Sequence, residues 1–201
     1  TYRTWLKAGA ERYLLRIETS DPELYARLHP PDHSWEHRRD CLRLLHSLGY
    51  QLGSGVMIGL PGQTLQHLAR DILFFEQEKV VMIGMGPFIP HADTPLHDAL
   101  GSFTLKKHGQ LDLGLRMIAT TRLYLPDVNI ASTTALQALA PNGRESGLLA
   151  GANVIMPNLT DVRYRSAYQL YDGKPCQDES PAHCHGCLAS RVAMLGERIA
   201  Y

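Results

Sequence analysis

The stretch Arg12-Tyr13-Leu14-Leu15-Arg16-Ile17-Glu18 has the alternating pattern of a β-strand, and it decides the interpretation of the fold. Successive side chains of a strand point to opposite faces. One face therefore carries Arg12, Leu14, Arg16 and Glu18, and the other carries Tyr13, Leu15 and Ile17. Taken alone, the strand is explained equally well by a surface sheet whose charges face water.

The rest of the chain favours a strand that is buried on both faces. Helical patterns alternate with further apolar segments, which predicts a parallel sheet covered by helices. The predicted strands are residues 12–18, 50–58, 80–85, 129–134 and 153–156. Strands of such a sheet are buried on both faces, and a buried charge without a partner costs several kcal/mol. The charges of the first strand then need one another or a charged ligand.

Two observations favour a barrel over an open doubly wound sheet. The chain begins within a helical pattern, and no glycine-rich G-x-G-x-x-G turn follows an early strand. Five strands do not close an eight-stranded barrel, which takes about 250 residues. We therefore predict an α/β fold. In this prediction residues 1–160 are the C-terminal five strands of a parallel (β/α) barrel of TIM type, and residues 161–201 are a C-terminal extension.

The composition is that of an ordinary globular protein. The chain has 201 residues, 44% of them hydrophobic, and its 20 Lys and Arg balance its 20 Asp and Glu. This balance gives no reason to expect nucleic acid or an anionic membrane as a partner. The longest apolar run, residues 80–89, is half the length that a membrane span needs. No leader segment is visible, and we expect a cytoplasmic protein.

Three cysteines near the end of the chain form the sharpest local signal. Cys176, Cys184 and Cys187 include a C-x-x-C, which points to a reducing compartment and to metal or redox chemistry. Three thiolates at this spacing suit an iron-sulfur cluster, or a zinc site completed by His183 or His185. Reduced thiols without a metal are the alternative. The sequence contains no H-E-x-x-H, no G-x-S-x-G and no phosphate loop.

Arg16 and Glu18 are the candidate binding residues of the first strand. They stand about 6–7 Å apart along one strand face, which suits the carboxylate and ammonium of an amino-acid head group. An internal ion pair within the barrel is the alternative. The other candidates, each of which taken singly is more often core or cap, lie at predicted carboxyl ends of strands, where barrel active sites are built: Met57, Thr133, Thr134 and Met156.

Five motifs in order along the chain carry a family resemblance. They are residues 12–19, residues 55–64, residues 86–91 with 93–96, residues 153–158, and the terminal cysteines. Together they resemble the [FeFe]-hydrogenase maturases of the radical S-adenosylmethionine superfamily. Biotin synthase and methylornithine synthase are the nearest related groups.

The resemblance implies roles for particular residues. Arg16 and Glu18, helped by Arg38, would hold the carboxylate and amino group of S-adenosylmethionine, with Met57 near its adenosine. The implied lining of the internal cavity is Arg12, Thr133, Thr134, Met156, Tyr168 and Tyr171. The terminal cysteines Cys176, Cys184 and Cys187 resemble the site of an accessory iron-sulfur cluster, [2Fe-2S] or [4Fe-4S], which is not the catalytic one.

The resemblance also implies an activity. A [4Fe-4S] cluster would reduce S-adenosylmethionine, and the 5′-deoxyadenosyl radical would attack a precursor in the cavity during assembly of the hydrogenase di-iron site. The implied partners are a small-molecule or iron-complex substrate, other hydrogenase maturation proteins and an electron donor.

One departure from the family pattern concerns the catalytic cluster. The C-x3-C-x2-C loop that binds it is absent from this chain, and we expect it to lie upstream. This chain alone is then not expected to cleave S-adenosylmethionine. Two alternatives stay open: another radical enzyme of the biotin synthase and methylornithine synthase group, and a metal-binding module without catalysis.

Overall fold

The computed structural model describes residues 1–96, 107–168, 170–171, 173–176, 178 and 180–200. Within these residues, short strands alternate with helices. The strands are β1 (Arg12–Leu14), β2 (Gln51–Ser54), β3 (Met57–Ile58), β4 (Met82–Ile83), β5 (Gly86–Pro87), β6 (Asn129–Ser132) and β7 (Val154–Ile155). The helices are α1 (Tyr2–Lys7), α2 (Pro22–Leu28), α3 (Trp35–Ser47), α4 (Leu65–Gln77), α5 (Lys107–Tyr124), α6 (Thr134–Leu139), α7 (Gly143–Leu149), α8 (Val162–Arg165) and α9 (Pro181–Met194), with a 3-10 turn at Ser166–Tyr168.

The strands pair in parallel and in the order of the chain. In the described part, β1, β2, β4, β6 and β7 form one sheet in that order, and β3 pairs with β5. The strands β3 and β5 follow β2 and β4 after breaks of two residues. A doubly wound sheet reverses its strand order at a switch point, whereas a barrel wall keeps it. The described strands therefore confirm the predicted parallel α/β fold and its barrel order.

The hydrophobic core lies between the sheet and one layer of helices. Consecutive parallel strands joined by right-handed crossovers place their helices on the same side. Ile17, Leu52, Ile83 and Ile130 of the strand segments are at most 1% exposed and pack against apolar residues of α3, α4 and α5. The other face is more open, since Leu14 is 47% exposed. The prediction that the first strand is buried on both faces is therefore wrong for Leu14, because the helices cover only the opposite face.

Several predicted boundaries differ from the observed ones. The first two predicted strands are interrupted, at residues 15–17 and 55–56, and only Met82–Ile83 of the third lies in a strand. Thr134 was predicted to end a strand but begins α6, for which Thr133 is the N-terminal cap. The last helix, α9, begins at Pro181, with the Ser180 side chain accepting a hydrogen bond from the His183 amide. Ser followed by Pro is a usual helix start.

Candidate functional site

Arg16 and Glu18 form an ion pair at the carboxyl edge of the first strand. The Arg16 Nε lies 3.1 and 3.2 Å from the two Glu18 carboxylate oxygens. The Arg16 side chain is 30% exposed and that of Glu18 is 17% exposed. The two side chains therefore share one face, as the alternation predicted, and they pair with each other as the ion-pair alternative predicted.

Neighbouring backbone holds the Arg16 guanidinium in place. Its Nη2 donates a hydrogen bond to the Val56 carbonyl at 2.7 Å. Arg38, in the first turns of α3, donates from Nη1 to the Arg16 carbonyl at 2.9 Å. The Arg38 guanidinium also lies 5.8 Å from the centre of the Tyr25 ring. The Arg38 side chain thus bonds to the backbone of Arg16 and helps to position that residue.

The backbone at Glu18 is strained and fixed by the next strand. Glu18 has a φ of 69°, a left-handed conformation that costs an ordinary residue about 1–2 kcal/mol. Its amide donates to the Gly55 carbonyl, and its carbonyl accepts from the Met57 amide, both at 3.0 Å. Strained backbone of this kind persists where the surroundings determine it, often at functional sites. The same contacts place Met57 beside Glu18.

Two glycines that the sequence did not single out leave room around this pair. A Cβ at Gly84 would lie 3.9 Å from the Arg16 Nη1, so any larger side chain there would enter the space beside the guanidinium. A Cβ at Gly55 would lie 1.9 Å from the Gly84 carbonyl oxygen, so the two strands approach too closely for a side chain. The signal was present as isolated glycines in apolar strand patterns, which mark close backbone approach.

A second group of predicted residues lies further along the sheet, at the end of β6. A Cβ at Gly86 would lie 2.6 Å from the Thr133 Oγ1, which places that hydroxyl against β5. The Thr133 Oγ1 is buried and has no hydrogen-bond partner in the described part of the chain. Thr134 and Tyr171 share a hydrogen bond of 2.5 Å between their hydroxyl groups. The structure therefore joins Tyr171 of the extension to the barrel.

The remaining cavity candidates are less enclosed or lie outside the description. Arg12 is exposed at the start of β1, and Met156, which follows β7, is 48% exposed. The side chain of Tyr168 lies outside the described residues. The role of these residues as cavity lining stays a prediction.

The terminal cysteines are not assembled into a metal site in the described residues. No group of three or more His, Cys, Asp or Glu side chains there is arranged to hold a metal ion. Cys184 and Cys187 both lie on α9, and Cys184 is 1% exposed with its sulfur accepting a hydrogen bond from the Asn158 amide at 3.3 Å. The accessory cluster at Cys176, Cys184 and Cys187 therefore stays a prediction.

The Arg16–Glu18 pair has the chemistry to hold a zwitterion. The Arg16 Nη1 makes no hydrogen bond to any described residue, although Nε and Nη2 do. A carboxylate has about four acceptor positions, so Glu18 retains capacity beyond its contacts with Arg16. The guanidinium can take a second carboxylate while Glu18 takes an ammonium. The residues present therefore fit the amino-acid end of S-adenosylmethionine.

Comparison with known proteins gives the group to which the chain is related. Residues 1–75 match the family model described as the radical SAM superfamily. The [FeFe] hydrogenase maturase subunit HydE of Thermotoga maritima is 48% identical over 197 residues, which are 98% of this chain and 54% of that protein. Biotin synthase 1 of Corynebacterium diphtheriae is 31% identical over 156 residues, covering 74% of this chain and 40% of that protein. The chain thus spans about half the length, or less, of these curated relatives.

A solved structure supports the fold over the whole chain. The crystal structure of methylornithine synthase (PylB) has a TM-score of 0.76 and 22% sequence identity, and it covers 100% of this chain and 55% of its own. Among the described residues, no helix has both the length and the apolar character needed to cross a membrane. The family match over residues 1–75 and the relatives of the same group together show that the chain belongs to the radical SAM superfamily.

Proposed function

We propose that this chain is part of a radical S-adenosylmethionine enzyme that acts in the assembly of the [FeFe]-hydrogenase di-iron site. The observation that carries the proposal is the 48% identity to a HydE maturase over 98% of the chain. The Arg16–Glu18 pair supports it, because the hydrogen-bonding positions that the pair leaves unused suit an amino-acid head group.

In this proposal the residues of the chain bind and orient the cofactor. Arg16 holds the carboxylate of S-adenosylmethionine, Glu18 holds its amino group, and Arg38 keeps Arg16 in position through the Arg16 carbonyl. Met57, joined to Glu18 by a backbone hydrogen bond, lies near the adenosine. Arg12, Thr133, Thr134, Met156, Tyr168 and Tyr171 line the cavity in which the precursor lies.

The redox chemistry belongs to the cofactors. When bound, a [4Fe-4S] cluster, whose ligands we expect upstream of this chain, would supply the one electron that reduces S-adenosylmethionine to methionine and the 5′-deoxyadenosyl radical. The electron comes from an external donor, and the substrate is a small molecule or an iron complex. The proposal includes other hydrogenase maturation proteins as partners and an accessory iron-sulfur cluster at Cys176, Cys184 and Cys187.

The experiment compares binding and turnover in the full-length protein. We expect Arg16→Ala to weaken S-adenosylmethionine binding by roughly 10- to 100-fold, because it removes hydrogen bonds between charged groups. Glu18→Gln should weaken binding less, since the amide still accepts a hydrogen bond. The measurements are calorimetric titration with S-adenosylmethionine and anaerobic formation of 5′-deoxyadenosine after cluster reconstitution.

A matched control uses an arginine away from the pair. Arg3 is exposed on α1, and Arg3→Ala should bind S-adenosylmethionine as the wild-type protein does. Equal affinities of the wild-type protein and Arg16→Ala would favour a barrel face without a catalytic role. Absence of 5′-deoxyadenosine from the reconstituted wild-type protein would overturn the reaction class.

A second candidate is an enzyme of the biotin synthase and methylornithine synthase group. The 31% identity to a biotin synthase over 74% of the chain favours it. Both candidates predict the same radical, so the products distinguish them. Activation of apo-hydrogenase supports the first candidate, and formation of a biotin or a rearranged amino acid supports the second.

A further inference from the structure

Arg144 is a deeply buried charge at the start of α7. It is 1% exposed and is the largest of the fully buried side chains in the described residues. Its backbone is fixed, because the Arg144 carbonyl accepts a hydrogen bond of 2.8 Å from the Ser132 hydroxyl. This hydrogen bond ties the start of α7 to β6.

The Arg144 guanidinium lacks any hydrogen-bond acceptor. Its Nε, Nη1 and Nη2 are all buried and have no partner in the described part of the protein. Arg165, which is 2% exposed, shows the usual arrangement: it donates to the carbonyls of Thr160, Asn158 and Cys176 at 2.7, 3.1 and 2.7 Å. A buried charge without a partner costs several kcal/mol. Arg144 thus lacks the acceptors that Arg165 finds in its own chain.

Two glycines build this burial into the sequence. A Cβ at Gly143 would lie 1.9 Å from the Leu136 carbonyl oxygen, and a Cβ at Gly147 would lie 2.3 Å from the Ser132 Oγ. Only glycine lets α7 pack this closely on α6 and β6. This close packing accompanies the burial of Gly143, Arg144 and Gly147 in α7.

No titratable side chain in the described part of the protein is hydrogen-bonded to the Arg144 guanidinium, although its charge contributes, after the Arg191 hydrogen bond, to the lowered pKa of Glu145. The Glu145 carboxylate pairs with Arg191, whose Nη2 lies 2.7 Å from the Glu145 Oε2. Burial is the largest influence on the pKa of Tyr171, which is raised overall although the Thr134 hydrogen bond and the Arg144 charge lower it. The Tyr171 hydroxyl is therefore neutral at neutral pH and remains hydrogen-bonded to Thr134.

Further unsatisfied polar atoms lie in the same segment of the chain. The Thr133 Oγ1 and the Gln137 Oε1 are buried without a hydrogen-bond partner among the described residues. With the three guanidinium nitrogens, they belong to the helices that follow β6. Unpaired buried polar atoms in a native structure call for an explanation such as a bound ion or water. A neutral ligand or water would leave the positive charge uncompensated.

We propose that Arg144, together with the hydrogen-bonded hydroxyl groups of Thr134 and Tyr171, forms a buried binding subsite for the carboxylate of a small molecule. A guanidinium binds a carboxylate through two parallel hydrogen bonds, and a neutral hydroxyl can donate a third. Thr134 and Tyr171 are also predicted to line the cavity. The identification of this carboxylate with a group of the substrate rests on the proposed function, whereas the subsite itself does not.

The test uses acetate as the probe and the full-length protein without a reconstituted cluster. Acetate is titrated against the wild-type protein, Arg144→Met and Arg144→Lys at constant ionic strength maintained with chloride, and thermal unfolding is followed. We expect acetate to raise the melting temperature of the wild-type protein and to bind Arg144→Met at least about ten-fold more weakly. Arg144→Lys keeps the charge but loses the planar fork, so its affinity should be intermediate.

Stability without acetate provides a second measurement. Arg144→Met should be at least as stable as the wild-type protein in chloride, because replacing an uncompensated buried charge by an apolar side chain of similar length is neutral or stabilising. A large loss of stability in chloride would instead reveal a partner within the chain and overturn the subsite. The same would follow if acetate acted equally on the wild-type protein and Arg144→Met, or on neither.

The failure of the subsite and the failure of the proposed function give different results. Acetate-dependent stabilisation that disappears in Arg144→Met supports the subsite even when the reconstituted protein forms no 5′-deoxyadenosine. Turnover of S-adenosylmethionine in a protein that acetate does not stabilise supports the function and rejects the subsite. If the subsite holds the substrate, acetate should also inhibit product formation by the wild-type enzyme competitively.

Discussion

At the scale of single residues, some buried charged side chains of this protein have partners for their polar atoms and others, among the described residues, do not. Arg165 donates to three carbonyls, and Arg16 pairs with Glu18. Asp71 on α4 is 0% exposed, and only one of its oxygens is bonded, Oδ1 to the Ser20 amide at 2.7 Å. Its Oδ2 is buried with no partner in the described residues, and burial raises the pKa of Asp71 to about 7. Asp71 thus holds the backbone two residues beyond Glu18 at a cost in stability at neutral pH.

This raised pKa predicts a pH dependence of stability. Between 3.8, its ordinary value, and about 7, the unfolded chain has lost the Asp71 proton while the folded chain retains it. The free energy of unfolding should therefore fall as pH rises through this window, by up to about 4 kcal/mol, and change no further above it. Asp71→Asn keeps an acceptor for Ser20 and should remove this dependence, as measured by urea unfolding at pH 5 and pH 8.

The control for this prediction is an exposed aspartate. Asp127 lies in the exposed turn between α5 and β6, and Asp127→Asn should leave the pH dependence as it is in the wild-type protein. If Asp71→Asn lost stability between pH 5 and pH 8 as steeply as the wild-type protein, the slope would come from another group.

At the scale of elements, local signals predicted most of the order but not the contacts between elements. Ser34 and Thr64, of residue types that usually cap helices, precede α3 and α4, and both side chains accept hydrogen bonds from the third residue of their helices. Strand alternation placed Arg16 and Glu18 on one face, and the structure confirms this. Such predictions succeed because they depend on neighbours along the chain.

Features that depend on packing between distant segments were missed. The burial of Arg144 results from the fit of Gly143 and Gly147 against α6 and β6, which no periodicity encodes. The space that Gly84 leaves beside Arg16 depends on the pairing of strands far apart in sequence. In both places an isolated glycine was the available signal, but a glycine alone does not say which segment approaches it.

The turn that joins β3 to α4 is fixed by one side chain. The Gln63 Oε1 accepts hydrogen bonds from the Gly59 and Leu60 amides at 2.7 and 3.2 Å, and its Nε2 donates to the Met57 carbonyl at 3.0 Å. The Gln63 side-chain amide thus makes, at the end of β3, hydrogen bonds of the kind that a neighbouring strand would make. Through Met57, it holds the backbone that pairs with Glu18.

We expect Gln63→Met to destabilise the protein by about 2 kcal/mol, since it leaves two amides and a carbonyl without partners at similar side-chain volume. Because Met57 lies beside Glu18, S-adenosylmethionine binding should weaken as well. Urea unfolding and calorimetric titration measure the two effects. Gln66→Met, at an exposed position of α4, should stay within about 0.5 kcal/mol of the wild-type protein, and a similar loss in both variants would contradict the role of the turn.

At the scale of the whole molecule, the segment after β7 is attached to the barrel at several points. Tyr171 bonds to Thr134 at the start of α6, and α9 is linked to α7 by the ion pair between Arg191 and Glu145. Arg191 also donates from Nη2 to the Pro141 carbonyl at 2.5 Å. The side chains of Arg191 and Glu145 are only 19% and 14% exposed, so solvent screens this pair weakly. The cysteines of α9 therefore have a defined position relative to the strand ends.

This attachment predicts that α9 can be released without unfolding the sheet. Arg191→Met leaves the Glu145 carboxylate partly buried without its cation, which should cost α9 about 1–3 kcal/mol of local stability. Hydrogen exchange followed by mass spectrometry should then show faster exchange in α9 and α7 but unchanged exchange in β2 and β4. Glu145→Gln should have a similar effect, and the double variant should lose less than the sum of the two, because both remove the same pair.

Arg163→Met, which breaks a solvent-exposed ion pair with Asp161, should leave exchange in α9 unchanged. Equal acceleration in the strands and in α9 would mean that the extension and the barrel unfold as one unit, so that the cysteine segment has no independent opening through which a metal could enter.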